Sequence, residues 1–470
     1  MKCLFCASEA LPFCSSGGLG EVAGSLPHAL RELFIGCRVV IPLYKCIPED
    51  LRKSMKFLTS FYVPVAWRNQ YCGIFRANYN GVIYYLIDNE YYFNRPNMYG
   101  YFDDAERFSF FSRAILEMLP HIKFRPDIIH ANDWQSALVP VYFSAFYAQN
   151  EFYSNMKTIF TIHNIEYQGK YGYEVFNDLI GLNQKDISLL DFDGCINFMK
   201  GAIETANVVT TVSPTYSQEI LNDWFAHGLA PILNARSYKL HGILNGIDTE
   251  LYNPSTDPLI YKTYSEKHLS DKVKNKILLQ DRLHLDKSES VPVIGMVTRL
   301  VEHKGIDLVI SALETIMKET NVQFVILGSG EKNYEDFFSY MQYKYPNRIC
   351  ACHGFVPELA HKIYAGSDMF LMPSKSEPCG LSQMIALRYG SIPIVRETGG
   401  LKDSVSDSGD GCGVGFRFKK YDPWDMYDSI KRALAGYCIP EGWTKLVKRA
   451  MNCNNSWNHS AKNYLTFYKK

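Results

Sequence analysis

The segment Cys3-Leu4-Phe5-Cys6-Ala7 and the loop Ser15-Ser16-Gly17-Gly18-Leu19-Gly20 that follows it decide the fold class. The first segment is a short apolar run typical of a buried strand, and the apolar positions from Val22 to Leu33 predict a helix after the loop. A further apolar run from Arg38 to Pro42 predicts a second strand. Because strand, helix and strand in this order build a parallel sheet, the chain opens as an α/β protein.

The strand pattern predicts two doubly wound domains. Strand-like runs recur up to Val212, a turn at Asn245-Gly246 and a charged segment interrupt them, and the pattern restarts at Val293. A chain of 470 residues also exceeds what one hydrophobic core usually serves. We therefore predict an N-terminal domain over residues 1–245, a C-terminal domain over 246–456, and a closing helix over 457–470 that packs back on the N-terminal domain.

The composition excludes several classes of partner. Lysine plus arginine equal aspartate plus glutamate at 49 each, so no overall field favours nucleic acid or an anionic membrane. The opening apolar run is too short for a signal peptide, and no segment reaches membrane-spanning length. The 13 cysteines lie in apolar contexts without paired metal-type spacing, which indicates reduced thiols in a reducing compartment. We expect a soluble intracellular protein.

Two glycine pairs predict phosphate-binding loops, one in each half of the chain. Gly17-Gly18 and Gly399-Gly400 each let backbone N–H groups approach an anion, and a helix start beyond each pair adds the positive end of its dipole. Tight packing is the alternative reason for such glycines. The first loop lacks the G-x-G-x-x-G spacing of a dinucleotide site, so a nicotinamide cofactor is disfavoured.

Cationic and acidic residues after predicted strands of the second half indicate a sugar-nucleotide site. Arg299 and Lys304 follow the strand that begins at Val293, and a guanidinium with an ammonium suits a diphosphate, although a solvated basic loop has the same pattern. Glu377 precedes Pro378-Cys379-Gly380-Leu381. Its carboxylate can accept hydrogen bonds from sugar hydroxyls, and the backbone amides beyond it can donate them.

In the first half, polar side chains follow two predicted strands. His130-Ala131-Asn132-Asp133 and Thr161-Ile162-His163-Asn164 place a histidine and an aspartate where α/β folds bind ligands. We expect Asp133 and His163 to bind sugar hydroxyls or to support the reacting centre, and we expect His130 to be an internally satisfied polar residue. No metal site is predicted, because Asp191-Phe192-Asp193 is too short a match to a D-x-D clamp.

Taken together, these motifs resemble the bacterial glycogen synthase and plant starch synthase family along nearly the whole chain. The matching segments are Ser16 to Val22, His130 to Gln135, Thr161 to Asn164, Asn245 to Asp248, Arg299 to Gly305, Glu377 to Leu381 and Thr398 to Leu401. The resemblance implies a GT-B fold, with two Rossmann-like doubly wound domains facing across a deep cleft.

The resemblance also implies an activity. Family members transfer glucose from ADP-glucose to the non-reducing end of an α-1,4-glucan such as glycogen, starch or a maltooligosaccharide, with retention at the anomeric carbon. No metal or other cofactor is expected, and the partners are ADP-glucose or ADP and the glucan. The location implied is the cytoplasm, or the plastid for a processed plant protein. Oligomeric state and the choice between ADP-glucose and UDP-glucose stay open.

Site roles follow from the family residue by residue. The catalytic positions are Glu377, Arg299, Lys304, His163 and Asp133. The substrate-binding positions are Ser15, Gly17, Gly18, Asn245, Phe355, Cys379, Gly380, Leu381, Thr398, Gly399 and Gly400. Among these, Phe355 is expected to contact the adenine ring, and Gly399-Gly400 is expected to lie in the main donor site. Gly17-Gly18 is expected to form a loop of the first domain that closes over the donor.

The chain departs from the family in its first loop. Ser15 stands where relatives commonly carry lysine, and Glu21 stands where they carry aspartate. A charge-assisted hydrogen bond contributes roughly 1.5 to 3 kcal/mol, so the missing lysine weakens donor handling by about ten- to a hundredfold unless another cation compensates. One alternative follows from this departure: a glucan-binding or regulatory protein with weak or no synthase activity. A separate alternative is a related transferase that makes sucrose or trehalose phosphate on the same fold, although the segments Glu377 to Leu381 and His130 to Gln135 favour the glucan enzymes.

Overall fold

A computed structural model of the chain describes residues 1–354 and 356–469. The chain divides into two compact units. The N-terminal unit comprises Met1–Ile243 together with the segment from Trp457 onward, and the C-terminal unit comprises Leu244–Ser456. Each unit is built on a sheet of mainly parallel strands joined by helices, which confirms the predicted α/β class.

The sheet of the N-terminal unit has nine strands. In spatial order they are Leu240–Gly242, Val208–Thr211, Lys157–Ile162, Ile128–Asn132, Lys2–Cys6, Gly36–Pro42, Val82–Asp88, Arg68–Tyr79 and Lys56–Val65. The first seven of these run parallel, and Arg68–Tyr79 runs antiparallel to both of its neighbours. A small antiparallel sheet is formed by Lys170–Tyr171, Cys195–Asn197 and Asp191–Phe192.

The long hairpin formed by Lys56–Val65 and Arg68–Tyr79 was not predicted from the sequence. These strands extend one edge of the sheet and expose several large side chains, among them Phe57 and Tyr62. Because an exposed edge does not require a continuous apolar run, the hairpin lacks the signal by which the buried strands were predicted.

Buried apolar side chains hold the N-terminal unit together. Cys3, Leu4, Phe5 and Cys6 of the first strand have no exposed surface. The helix Gly18–Glu32 buries one stripe of small and aliphatic side chains, as a helix packed on a sheet must. The remaining α-helices of this unit are Glu49–Lys53, Glu90–Phe93, Asp104–His121, Leu138–Tyr142, Phe198–Thr205, Pro214–Glu219, Asp223–Ala226, Ala230–Ala235 and Trp457–Tyr468.

The closing helix Trp457–Tyr468 is linked to the first sheet through His130. The Nδ1 atom of this fully buried imidazole lies 2.7 Å from the Tyr468 hydroxyl, and its Nε2 atom lies 2.6 Å from the Thr161 hydroxyl. Burial lowers the His130 pKa to about 3, so the ring is neutral. His130 is therefore an internal polar residue, as expected.

The C-terminal unit contains a parallel sheet of six strands. In spatial order they are Ile349–Cys352, Gln323–Leu327, Val293–Val297, Met369–Met372, Ile392–Arg396 and Phe416–Phe418. The α-helices are Ser270–Arg282, Ile306–Glu319, Lys332–Lys344, Pro357–Gly366, Ser382–Arg388, Gly399–Ser404, Pro423–Tyr437 and Pro440–Met451. None of the helices in the described ranges of the chain is long and apolar enough to cross a membrane.

Each sheet has a point where the strand order reverses. In the N-terminal unit, Lys2–Cys6 lies between Gly36–Pro42 and Ile128–Asn132. In the C-terminal unit, Val293–Val297 lies between Gln323–Leu327 and Met369–Met372. Ligands of doubly wound folds bind beyond the carboxyl ends of strands at such points. The predicted site residues follow these strands.

Candidate active site

The C-terminal unit brings three predicted site residues to one edge of its sheet. Arg299 and Lys304 follow the strand Val293–Val297, and Glu377 follows Met369–Met372. Ile294 pairs with Met369 in a parallel register, so the two strands end side by side. Residues far apart in the sequence thereby share one location.

Lys304 and Glu377 form a buried ion pair. The Lys304 ammonium lies 2.9 Å from Oε1 and 2.7 Å from Oε2 of Glu377. The Ser374 hydroxyl donates a further hydrogen bond of 2.9 Å to Oε2. Only 7% of the Glu377 side chain and 17% of the Lys304 side chain are exposed. Both carboxylate oxygens are thus occupied, and the pair holds the two loops in a defined geometry.

A glycine allows these loops to approach. Gly305, directly after Lys304, has a φ of +73°, which favours glycine over other residues. A Cβ atom at this position would lie 2.1 Å from the carbonyl oxygen of Pro373. The loop that carries Lys304 can therefore reach the strand end before Glu377 only with glycine here.

Arg299 differs from Lys304 in being exposed. Within residues 1–354 and 356–469, its guanidinium has no hydrogen-bond or ion-pair partner. A planar cation with five N–H donors at a strand end is suited to an anionic ligand. Arg299 is an available cation, and the Lys304 ammonium, which gives two of its three N–H donors to Glu377, retains one donor for an anionic ligand.

The second glycine pair is required by packing. Gly399 has a φ of +41°, and a Cβ atom there would lie 2.0 Å from the Glu377 carbonyl oxygen. A Cβ atom on Gly400 would lie 2.1 Å from the Cys379 carbonyl oxygen. The Gly400 N–H donates to the carbonyls of Glu377 and Pro378 at 3.1 and 3.2 Å. Close approach to the 377–379 segment thus accounts for both glycines, and the Gly400 amide is already engaged.

The segment after Glu377 directs backbone amides away from the protein's own acceptors. Gln383 donates to the carbonyls of Cys379 and Gly380 at 3.1 and 2.8 Å. In a trans peptide the N–H points opposite to the carbonyl, so the N–H groups of Gly380 and Leu381 face away from Gln383. Among the described residues, neither N–H has an acceptor. Gly380 has a φ of +69°, which sets this turn.

Three further predicted residues lie inside the C-terminal unit. Thr398 is fully buried and precedes the helix Gly399–Ser404. Cys379 is buried, which raises the pKa of its thiol to about 12 against a smaller opposing effect of the Asn245 backbone. The buried Oδ1 atom of Asn245 has no hydrogen-bond partner in the described ranges. Phe355 lies outside the described residues.

The first glycine pair has surroundings unlike those of the second. Gly17 and Gly18 are exposed, and no heavy atom lies within 4 Å of a Cβ atom built on either. The Ser15 hydroxyl donates to the Gly17 carbonyl at 3.1 Å. Packing therefore does not demand these two glycines, and the loop presents bare backbone.

A buried glutamate that the sequence analysis did not single out holds this loop. Glu9 lies shortly after the strand Lys2–Cys6 and is 2% exposed. Its carboxylate accepts hydrogen bonds from the backbone N–H groups of Ser16 and Gly20 at 2.8 and 3.0 Å. The sequence held one indication of this role, an acidic residue placed just beyond the first apolar strand.

Asp133 and His163 meet at the carboxyl ends of adjacent strands. Oδ1 of Asp133 accepts hydrogen bonds from the N–H of His163 at 2.7 Å and of Asn164 at 3.4 Å. Burial raises the Asp133 pKa to about 7, against the opposing effect of these two bonds and with a smaller contribution from the charge of Glu9. Its backbone has a φ of +55°, a strained conformation for a residue other than glycine.

Asn132 sets the tautomer of His163 and was also missed as a site residue. The Asn132 amide nitrogen donates to the carbonyls of Cys6 and His130 at 3.0 and 3.1 Å, so its Oδ1 atom is the acceptor. Nε2 of His163 lies 2.9 Å from this oxygen and must carry the proton. Burial lowers the His163 pKa to about 3. The neutral ring therefore keeps Nδ1 as a hydrogen-bond acceptor.

We predict that Asp133→Asn raises the free energy of unfolding at pH 8 by about 1 to 3 kcal/mol and does not raise it at pH 4. The pKa of Asp133 rises from 3.8 to about 7 on folding, so the native carboxyl binds a proton more tightly. Native stability then falls as pH rises from about 4 to 7, and asparagine removes this loss while keeping the Oδ1 acceptor. Urea titrations at both pH values measure the difference.

The matched control for this prediction is Asp50→Asn, which neutralises an exposed aspartate of the same unit. We expect no pH-dependent gain in stability from it. An equal effect of Asp133→Asn at pH 4 and pH 8 would contradict the assignment of a raised pKa.

Within the described part of the chain, no group of three or more His, Cys, Asp or Glu side chains forms a metal-binding cluster.

Comparison with known proteins identifies the same two units. The starch synthase catalytic domain matches residues 2–235, and the glycosyl transferases group 1 family matches residues 280–450. A glycogen synthase of Alkaliphilus metalliredigens is 48% identical over 473 residues, covering 100% of this chain and 99% of that protein. A glycogen synthase of Geobacillus stearothermophilus is 48% identical over 474 residues, covering 100% and 98%.

Solved structures agree with these relatives. The catalytic domain of starch synthase IV from Arabidopsis thaliana, bound to ADP and acarbose, has a TM-score of 0.92 at 35% identity and covers 99% of this chain and 98% of that one. Sucrose-phosphate synthase from Thermosynechococcus elongatus has a TM-score of 0.62 at 16% identity, covering 100% and 98%, and shows a shared fold alone. The full-length identity to glycogen synthases and the similarity to the starch synthase structure confirm the GT-B fold and the predicted resemblance. The chain belongs to the family of glycogen synthases and starch synthases, glycosyltransferases that transfer glucosyl units in glycogen and starch synthesis.

Proposed function

We propose that the chain transfers glucose from ADP-glucose to the non-reducing end of an α-1,4-glucan with retention of the anomeric configuration. The observation that carries this proposal is the Lys304–Glu377 ion pair at the strand ends that also carry the exposed Arg299. A leaving nucleoside diphosphate needs cations, and a transferred sugar needs hydroxyl acceptors and donors. Both chemistries occur at this edge of the C-terminal unit.

Arg299 and Lys304 bind the diphosphate and stabilise the charge that grows on the departing ADP. In many enzymes, fixed charges and dipoles directed at the charge that develops in the transition state make the largest contribution to the rate enhancement. The N–H groups of Gly380 and Leu381, which lack acceptors among the described residues, donate to hydroxyls of the donor glucose. Thr398 and Gly399 lie by the phosphates, and Cys379 and Asn245 support the turn.

The N-terminal unit carries further proposed substrate-binding positions. These are the bare backbone of Gly17 and Gly18 and the Ser15 beside it. The His163 Nδ1 atom accepts a hydrogen bond from a sugar hydroxyl, and Asp133 orients His163 through its backbone N–H. Phe355 is proposed to stack on the adenine ring.

Donor departure and acceptor attack are proposed to occur on one face of the sugar through an oxocarbenium-like state. A covalent intermediate would need a free carboxylate close below the anomeric carbon. Both oxygens of Glu377 accept hydrogen bonds from Lys304, which makes this carboxylate a poor nucleophile. The proposed reaction uses no metal ion or other cofactor, because Arg299 and Lys304 meet the charge of the diphosphate.

ADP-glucose is the proposed donor because the similar starch synthase structure is bound to ADP. The acarbose in the same structure supports a glucan as acceptor. We also propose a cytoplasmic location, which rests on the bacterial origin of the glycogen synthases that are similar over the full chain.

Transfer of labelled glucose to glycogen tests the proposal. We expect incorporation from ADP-glucose to exceed that from UDP-glucose in a direct competition, without added metal and in the presence of a chelator. Retention of the protein on glycogen without turnover from either donor would instead support the glucan-binding alternative. Transfer to fructose 6-phosphate or glucose 6-phosphate, but not to glycogen, would support the related transferase that makes sucrose or trehalose phosphate.

A further inference from the structure

The Glu9 carboxylate lies beneath the first glycine loop and makes four hydrogen bonds. Its Oε2 atom accepts from the Ser16 N–H at 2.8 Å, the Ser16 hydroxyl at 2.6 Å and the Tyr99 hydroxyl at 3.2 Å. Its Oε1 atom accepts from the Gly20 N–H at 3.0 Å. One buried side chain thus binds both ends of the loop around Gly17 and Gly18.

The geometry requires a side chain at position 9 that accepts on both of its oxygens. The backbone N–H groups of Ser16 and Gly20 can only donate, and they contact different oxygens of the side chain. A carboxylate accepts on both oxygens, whereas an amide must turn its NH₂ group toward one of the two N–H groups. Glutamine has nearly the same shape as glutamate, yet it cannot satisfy both contacts.

Glu9 also replaces a missing helix cap. Gly17 is the N-cap of the helix Gly18–Glu32 and has no side chain to accept from the first helical N–H groups. Gly20 is the third residue of this helix, the position at which a cap normally accepts. Because Glu9 performs this role from another part of the chain, the loop can do without a capping side chain, and the space beside Gly17 and Gly18 stays open.

We propose that Glu9 is a positioning residue for donor binding, and this rests on the proposed function. It holds the loop so that the Gly17 and Gly18 N–H groups, which have no acceptor within the described ranges, are oriented for the phosphates of the donor. The Ser15 hydroxyl is turned onto the Gly17 carbonyl at 3.1 Å. In this chain the loop therefore contributes through backbone geometry, which makes the Glu9 contacts more important.

The test is Glu9→Gln, studied by hydrogen exchange and by steady-state kinetics. We expect the backbone amides of Ser16 and Gly20 to exchange at least about tenfold faster in the free protein, because their hydrogen bonds to Glu9 are lost or weakened. We expect KM for ADP-glucose to rise about tenfold or more, while KM for glycogen changes less than about twofold. Glu49→Gln, which alters an exposed glutamate of the same unit, should change neither quantity.

A second variant keeps the test decisive if Glu9→Gln folds poorly. Ser16→Ala removes only the exposed hydroxyl that donates to Oε2, and we expect a smaller rise in donor KM, about two- to fivefold. Adding Ser16→Ala to Glu9→Gln should cause no further rise, because Ser16 acts through Glu9. Unchanged donor KM in both single variants, or unchanged amide exchange in Glu9→Gln, would overturn the proposal. If the parent transferred no glucose from ADP-glucose, the proposed function would fail, while the exchange measurement would still report on the loop.

Discussion

Lys304→Ala is expected to lower kcat about a hundredfold and to destabilise the C-terminal unit, whereas Arg299→Ala is expected to lower activity without a loss of stability. Both cations serve the same leaving group in the proposed reaction, so both variants lose stabilisation of the growing charge. Only Lys304 also neutralises a buried carboxylate, at 2.7 and 2.9 Å.

The stability difference follows from what each substitution leaves behind. The Glu377 side chain is only 7% exposed, and without Lys304 its carboxylate keeps only the hydrogen bond from the Ser374 hydroxyl among the described residues. Leaving one charge of a buried pair uncompensated costs about 3 kcal/mol. Arg299 is exposed and makes no ion pair among the described residues, so its removal leaves no buried charge.

Kinetics with ADP-glucose and glycogen, combined with urea unfolding, measure the two effects. Lys318→Ala is the matched control, because Lys318 forms an exposed pair with Glu314 in the same unit. Exposed pairs contribute about 0 to 1 kcal/mol, and we expect normal turnover from this variant. Equal unfolding free energies for Lys304→Ala and Arg299→Ala would contradict the structural role of the ion pair, and normal turnover in either would remove that residue from the site.

Gly400→Ala is expected to destabilise the C-terminal unit by about 3 kcal/mol or more, whereas Gly18→Ala is expected to leave stability intact and to impair donor binding. The added Cβ atom at Gly400 would lie 2.1 Å from the Cys379 carbonyl oxygen and 2.5 Å from the Cys379 Cα atom. Both contacts involve backbone atoms, which cannot rotate away, so the segment after Glu377 must move.

Gly18 has the opposite surroundings, because no heavy atom lies within 4 Å of an added Cβ atom. Alanine at position 18 reduces the number of conformations open to the unfolded chain, an effect that raises the free energy of unfolding by about 0.4 to 1 kcal/mol. The same methyl group would occupy the open side of the loop, and we expect donor KM to rise about tenfold. Thermal or urea unfolding together with donor kinetics tests both variants, and a stable, fully active Gly400→Ala would refute the packing argument.

Gly442→Ala is a suitable control for the glycine substitutions. The nearest neighbour of an added Cβ atom on Gly442 is a side-chain carbon of Ile439 at 3.5 Å, an ordinary contact distance. Gly442 lies within the helix Pro440–Met451, where alanine is favoured over glycine by about 1 kcal/mol. This variant should be at least as stable as the parent and equally active.

Much of the fold could be predicted from the sequence because buried strands carry continuous apolar runs. The strand Lys2–Cys6 lies within one residue of the predicted run Cys3 to Ala7, and the strand Val293–Val297 begins at the residue where the pattern was predicted to restart. The hairpin Lys56–Val65 with Arg68–Tyr79 could not be predicted in this way. Its stability comes from pairing with the edge of the sheet, and its exposed side chains carry no comparable pattern.

The candidate site shows a similar division. Arg299, Lys304 and Glu377 were named from their place after predicted strands and from family resemblance, and the fold brings Lys304 and Glu377 into contact. Glu9 was not named, and Asn132 was quoted only as part of the His130 to Gln135 motif, without a role of its own. Their importance lies in contacts with Ser16, Gly20 and His163, which only the packed structure supplies.

The sequence by itself determined the α/β class, the family and the identity of the residues that carry charge, because apolar periodicity and motif order are local properties of a chain. The different roles of the two glycine pairs were decided only by the tertiary structure. Gly399 and Gly400 are needed because the 377–379 segment passes within contact distance, whereas Gly17 and Gly18 face open space above the Glu9 carboxylate. The two pairs have the same Gly-Gly sequence. Only the distances to neighbouring atoms show that one pair is needed for packing and that the other leaves its backbone open.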